Sequence, residues 1–236
     1  MRIDILRRKS AADEPYWQSF AYEPEEGETV ATALTRLNER PELRQDPIRW
    51  ECSCLQRKCG ACAMVVNGRP GLACDTRLSG YKKAVRLEPL RKFPVVADLL
   101  VDRSALYDNL RTMRLWFGDE ALPSQRASEV GYEASRCLQC GWCLEVCPNF
   151  DPDGAFFGMA AGVPATRLLA ELPASGREEL SRLYREHVYE GCGKSLACRN
   201  ICPADIDIGE MLVNSNAAAV WKRFLRNKEK HHGKDK

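Results

Sequence analysis

The sequence has 236 residues, 44% of them hydrophobic and 29% charged, with 35 Lys and Arg against 33 Asp and Glu and a formal charge of +2. That balance supplies no global basic field for nucleic acid, and the composition is that of a folded chain rather than a disordered one. The length suits one large domain or two small ones. The longest apolar stretch, 95–101, falls well short of the roughly 18 residues of a membrane span and carries Asp98. Charges at Arg2, Asp4, Arg7 and Arg8 break any secretory signal core, so a cytosolic chain without a transmembrane span is expected.

Ile3 and Ile5 alternate with Arg2 and Asp4 and predict a strand over 1–8, with 17–22 as its hairpin partner. Thr29, Thr32, Leu34 and Leu37 follow a helical spacing that predicts a short helix ending before Pro41. Ala63 to Val66, then Asn67-Gly68, then Gly71 to Cys74 predicts a hairpin with an Asn-Gly turn, and Val85 with Leu87 a last strand. The stretch from Pro89 to Pro94 reads as a linker. Beyond it, helices are predicted from Ser104 through Leu106, Leu110, Met113 and Trp116-Phe117, from Ser175 or Gly176 through Tyr189, and over 217–225. These helices are expected to be too short to bury a core without something between them.

Twelve cysteines in such a chain argue against disulfides. Cys54, Cys59, Cys62 and Cys74 read C-x4-C-x2-C-x11-C, the spacing of a plant-type [2Fe–2S] run. Cys137, Cys140, Cys143 and Cys147 read C-x2-C-x2-C-x3-C before Pro148, the bacterial ferredoxin run, whose fourth thiolate serves a second cluster. Cys192, Cys198 and Cys202 read C-x5-C-x3-C before Pro203. A zinc site closes with paired two-cysteine knuckles and fits this continuous run poorly. Ligand arithmetic assigns Cys137, Cys140, Cys143 and Cys202 to a [4Fe–4S] cluster. Cys147, Cys192 and Cys198 remain, three thiolates that suit [3Fe–4S], because Ser195 stands where a complete repeat would place another cysteine. The expected fold class is α+β: a β-grasp, plant-type [2Fe–2S] ferredoxin-like domain over 1–93, then an all-helical two-cluster ferredoxin domain over 94–236.

These three motifs in this order, with Asn67-Gly68 before Gly71-Leu72-Ala73-Cys74 and the segment Phe93-Pro94-Val95-Val96-Ala97-Asp98-Leu99, resemble the iron–sulfur subunit of succinate dehydrogenase and fumarate reductase, respiratory complex II. The resemblance covers nearly the whole chain. It implies electron transfer between FAD on a flavoprotein subunit and a membrane quinone, with membrane anchor subunits as further partners. It also implies a peripheral position on the cytoplasmic side of the cell membrane. Cys54, Cys59, Cys62 and Cys74 would hold the cluster nearest the flavin; Cys147, Cys192 and Cys198 would hold the one nearest the quinone. Catalytic acid–base residues are expected on the flavoprotein rather than here. An alternative is the iron–sulfur subunit of another flavin-dependent oxidoreductase with a non-quinone partner.

Three departures stand out. Arg57 occupies a position that is commonly Gly in this family and precedes Lys58; the two cations either raise the potential of the nearby cluster or point into solvent. Pro148-Asn149-Phe150-Asp151-Pro152 lacks the Trp that many members carry, and Gly193 follows Cys192 where quinone-directed members often have His. Gly193-Lys194-Ser195 is not a phosphate loop, because position 188 is Val where that loop needs Gly. His187 is expected at the surface or as a cap, Cys52 as a buried packing residue, and His231 and His232 in a solvated tail. Trp142, Phe156 and Phe157 are expected to shield clusters from water. The basic segment 221–230 either meets lipid headgroups or a membrane subunit, or is solvated.

Overall fold

A computed structural model of the chain describes residues 1–116, 129–172 and 174–221. They divide into two compact units: 1–103 together with 138–145, and the described parts of 104–137 and 146–236.

The first unit is built on a five-stranded sheet. Strands β1 (Arg2–Arg7) and β2 (Tyr16–Ala21) pair antiparallel, from Arg2 opposite Ala21 to Arg7 opposite Tyr16. Helix α1 (Val30–Asn38) begins where the Thr29 side chain accepts the Thr32 N–H at 3.3 Å. Its buried stripe includes Leu34 and Leu37, each worth about 1.5–3 kcal/mol when withdrawn from water. Strands β3 (Ala63–Val66) and β4 (Arg69–Leu72) form the expected hairpin, with Asn67 and Gly68 both at positive φ. β5 (Ala84–Glu88) closes the order β2-β1-β5-β3-β4, lying parallel to β1 and antiparallel to β3. Pro70 is tolerated because β4 is an edge strand.

A small hairpin not expected from the sequence is formed by β6 (Val95–Ala97) and β7 (Leu100–Val101). Its turn holds Asp98 at φ 46° and 1% exposure, and that carboxylate organises its surroundings. One oxygen accepts Arg7 Nε at 2.9 Å and the Arg8 amide at 2.8 Å; the other accepts the Arg49 amide at 2.9 Å. Arg7, also 1% exposed, donates in addition to Gln18 Oε1 at 2.7 Å and to the carbonyls of Asp46 and Pro47. A buried pair with its hydrogen bonds completed costs little net, but either partner alone is a buried charge in the wrong medium.

The second unit is helical: α2 (Ser104–Thr112), α3 (Glu129–Ser135), α5 (Gly158–Glu171), α6 (Ala174–Tyr184) and α7 (Ile208–Asn216), while the short α4 (Trp142–Glu145) belongs to the first unit. Wider π-type turns continue α6 over Arg185–Tyr189 and α7 over Ala217–Trp221. α5 is the centre, packed against α3, α6 and α7 and buried along most of its length. It went unread in the sequence because Pro164 lies inside it and its apolar residues surround the helix instead of forming a stripe. Thr166 Oγ1 bonds the Gly162 carbonyl at 3.0 Å and Ser215 Oγ at 2.6 Å, and Tyr184 OH donates to Asn216 Oδ1 at 2.9 Å. The expectation that these helices need clusters to bury a core is therefore corrected: they share a protein core of their own around α5. Phe117, the 222–225 end of the last predicted helix, the basic segment from 222 onward, His231 and His232 lie outside the described residues.

Replacing Asp98 with Ala removes the buried carboxylate of Arg7, leaving it only the half-buried Asp46 at 3.3 Å, and orphans two main-chain donors. The expected loss is about 3 kcal/mol or more of stability, measured from the urea midpoint of the purified protein; a loss under about 1 kcal/mol, the scale of an exposed pair, would show that the pair is not sealed from water.

Candidate functional site

Between Cys54 and Cys62 the backbone gives up regular structure and turns its amides toward sulfur. Leu55 and Arg57 adopt φ of 53° and 57°, and Gly60 one of 73°. The Gln56 and Lys58 amides each donate to Cys54 Sγ at 3.3 Å. The Cys54 amide reaches Cys59 Sγ at 3.5 Å, and the Arg57 amide reaches Cys74 Sγ at 3.3 Å. Donors aimed at sulfur favour the thiolate. The Gln56 and Lys58 amides accordingly bring Cys54 down to about 7, whereas burial pushes Cys62 up to about 12.

Cys74 arrives from a separate segment, fixed at both sides. The Ala73 amide donates to the Cys62 carbonyl at 3.0 Å, and the first turn of α1 sends Ala31 N–H to Ala73 O and Val30 N–H to Thr76 O, each at 2.9 Å. Arg103 clamps the loop from behind, donating to the carbonyls of Gly60 and Ala61 at 3.0 Å while paired with Glu51. Nothing in the sequence marked Arg103 for this task. Gly60 was legible in principle, as a glycine between closely spaced cysteines. A Cβ there would lie 2.8 Å from Cys140 Cβ and 2.9 Å from the Leu138 carbonyl.

Among the described residues no three His, Cys, Asp or Glu side chains close on a single-ion site. A sulfide-bridged cluster needs a looser ring, since its thiolates bind different irons. The four thiols of Cys54, Cys59, Cys62 and Cys74, three of them already accepting main-chain N–H groups, fit a [2Fe–2S] centre. Cys52 is exposed, which overturns its reading as a buried packing residue.

The remaining cysteines divide between the units. Cys140 and Cys143 lie in the first, in a run anchored by Glu145, whose carboxylate accepts the Arg91 and Lys92 amides at 2.8 and 3.2 Å. Glu145 is 5% exposed in its side chain, and burial raises its pKa. The Trp142 indole N–H is buried and has no acceptor among the described residues. Cys137, Cys147, Cys192, Cys198 and Cys202 belong to the second unit. Burial pushes Cys198 up to about 11, and the nearby charges of Cys147 and Cys192 push the same way, so these three thiols share one neighbourhood. Asn149 Nδ2 donates to the Gly191 carbonyl at 2.8 Å, joining the segment after Cys147 to the one before Cys192. His187 is neither at the surface nor a cap. Its side chain is 13% exposed, its ring stacks on Phe157 with centroids 4.2 Å apart, and Nδ1 lies 2.9 Å from the Ala155 carbonyl.

Comparison with known proteins groups Cys140 and Cys143 with the later cysteines rather than with the first unit. Residues 2–108 match a family described as a 2Fe-2S iron-sulfur cluster binding domain, and 133–206 one described as a 4Fe-4S dicluster domain. The succinate dehydrogenase iron-sulfur subunit of Bacillus subtilis (strain 168) is 32% identical over 95% of this chain and 94% of its own. The chain belongs to the family of succinate dehydrogenase and fumarate reductase iron–sulfur subunits. The fumarate reductase iron-sulfur subunit of Haemophilus influenzae is 29% identical, covering 88% of both chains. A chain of the Mycobacterium smegmatis Sdh1 complex in the apo form superposes with a TM-score of 0.73 at 25% identity, over 92% of this chain and 95% of that one. The protein is thus an electron-transfer subunit of the complex II type, with an N-terminal [2Fe–2S] ferredoxin domain on a mixed sheet and a C-terminal helical dicluster domain. No helix among the described residues is long and apolar enough to cross a membrane.

Two outcomes are expected. In cluster-free protein at pH 7, iodoacetamide modifies Cys54 well before Cys62, as followed by peptide mass spectrometry, because only the former is substantially ionised near neutrality. Gly60→Ala places a methyl group against main chain and lowers [2Fe–2S] content measured by iron and sulfide analysis; full loading would show that the loop can retreat from Cys140.

Proposed function

We propose that this chain relays electrons between FAD on a flavoprotein subunit and a quinone at the membrane, held peripherally by membrane anchor subunits on the cytoplasmic face. The observation that supports this most is the ordered set of cysteine groups along a chain that matches succinate dehydrogenase and fumarate reductase subunits nearly end to end. Bound clusters supply one-electron chemistry, passing charge without moving atoms. The chain's own residues hold the centres in place, keep water from them and set their electrostatic surroundings.

In this reading Cys54, Cys59, Cys62 and Cys74 hold [2Fe–2S], on the flavin side. Cys137, Cys140, Cys143 and Cys202 hold [4Fe–4S]. Cys147, Cys192 and Cys198 hold [3Fe–4S], on the quinone side. The mutual influence of the last three thiols supports their grouping, and Ser195 in place of a further cysteine supports three irons over four. No residue here is assigned to the chemistry of the dicarboxylate, which falls to the flavoprotein. Phe156 lies against Gly191 and Phe157 against His187, an apolar cover consistent with shielding the Cys192 segment from water.

The native complex, purified without oxygen with its partners attached and reduced with dithionite, is expected to reoxidise rapidly on addition of fumarate, followed by visible absorbance and electron paramagnetic resonance. Clusters that stay reduced with flavin present would point to a different flavin-dependent oxidoreductase. The same preparation should hold about nine irons per copy of this chain, and about ten would replace [3Fe–4S] by [4Fe–4S].

A further inference from the structure

We propose that the ion pair between Arg57 and Asp75 sets the reduction potential of the [2Fe–2S] centre, as two opposed charges fixed beside its ligands. The inference rests on Cys54, Cys59, Cys62 and Cys74 being those ligands. Arg57 Nε lies 3.4 Å from Asp75 Oδ2. Both side chains are exposed, but they spring from backbones that are held in place. The Arg57 amide donates to Cys74 Sγ at 3.3 Å. Asp75 sits in a tight turn in which its own amide and that of Thr76 bond the Leu72 carbonyl at 2.9 and 3.0 Å, with Thr76 Oγ1 on the same oxygen at 2.9 Å. Asp75 also directly follows Cys74, so the pair ties the 54–62 loop to the segment that brings the fourth thiolate.

The backbone at Arg57 makes its side chain informative. A φ of 57° favours glycine, yet a long cationic residue stands there. A glycine would keep the amide bond to Cys74 Sγ, so the side chain is not needed for that contact. What it adds is charge. Reduction places one electron, and so one more negative charge, on a centre already held by four thiolates. A guanidinium nearby favours that state, and a carboxylate one residue from a ligand opposes it. The two charges act in opposite directions, so Arg57 is not an unopposed cation. Asp75 trims its effect, and the balance depends on both charges. Each side chain is somewhat less than half exposed, which screens the pair and keeps the effect moderate.

The test is a redox titration of the anaerobically purified complex, poised with dithionite and mediators and read from the [2Fe–2S] paramagnetic signal. At the wild-type midpoint, Arg57→Gly is expected to lower the ratio of reduced to oxidised cluster by roughly threefold to tenfold, and Asp75→Asn to raise it by a similar factor. Arg57→Lys, which keeps the charge without the fork, should stay near wild type. Shifts of the same sign in R57G and D75N, no shift in either, or an R57K variant that behaves like R57G would overturn the proposal. If R57G fails to assemble its cluster, D75N and R57K decide it. Absence of a [2Fe–2S] signal from the wild type would refute the ligand reading itself, whereas a normal signal with an unmoved midpoint in the variants refutes only this inference.

Discussion

Everything in the first unit answers to one constraint: thiolates from two distant segments must converge on one place, and their negative charge must be met before anything binds there. The loop from Cys54 to Cys62 meets it with main-chain amides, four of which are free of helix or strand pairing and donate to sulfur. The price is backbone conformation, with Leu55, Arg57 and Gly60 all in the left-handed region. Such strain persists only where the surroundings over-determine it. Here they do so through Arg103 on the loop carbonyls, the first turn of α1 on the Cys74 segment, and the hairpin that carries Cys62 into the sheet.

The buried Arg7 and Asp98 pair serves the same end at longer range. It joins the end of β1, the 46–49 segment and the β6–β7 turn, three pieces far apart in the chain. Arg103 lies two residues beyond β7, so the carboxylate that fixes the turn also helps set where the clamp on the cysteine loop begins. Asp98 accepts on both oxygens and Arg7 donates from all three nitrogens, which is what lets two charges lie at 1% exposure without a large penalty.

The helical unit solves a different problem. Its cysteines lie on irregular segments, and rigidity comes from α5 and the helices around it. Gly158, Ala160, Ala161, Gly162 and Ala165 make α5 thin enough for its neighbours to approach closely. The hydroxyl and amide pairs among Thr166, Ser215, Tyr184 and Asn216 give those neighbours a single register. The core around α5 carries the segments on which Cys147, Cys192 and Cys198 share one neighbourhood.

The [2Fe–2S] and two-cluster signatures and most of the N-terminal sheet are legible in the sequence. Cysteine spacing, the Asn67-Gly68 turn and the alternation of Ile3 and Ile5 are local signals, and local signals survive without coordinates. The family was legible for the same reason, since three spaced motifs in fixed order carry far more information than any one. Only the tertiary structure decided what depends on residues far apart in the chain. Asp98 looks like an ordinary turn acid until Arg7, 91 positions away, is seen to bury against it. Arg103 carries no motif, His187 gives no sign of Phe157, and Cys52 looks like its neighbours until its exposure is known. α5 was hidden by Pro164 and by a run of Gly and Ala that leaves no clear apolar stripe, because periodicity reveals a helix only where its two faces differ. Arg57 shows the division most clearly: the sequence showed a cation beside a cysteine run, and the fold supplied the carboxylate that opposes it.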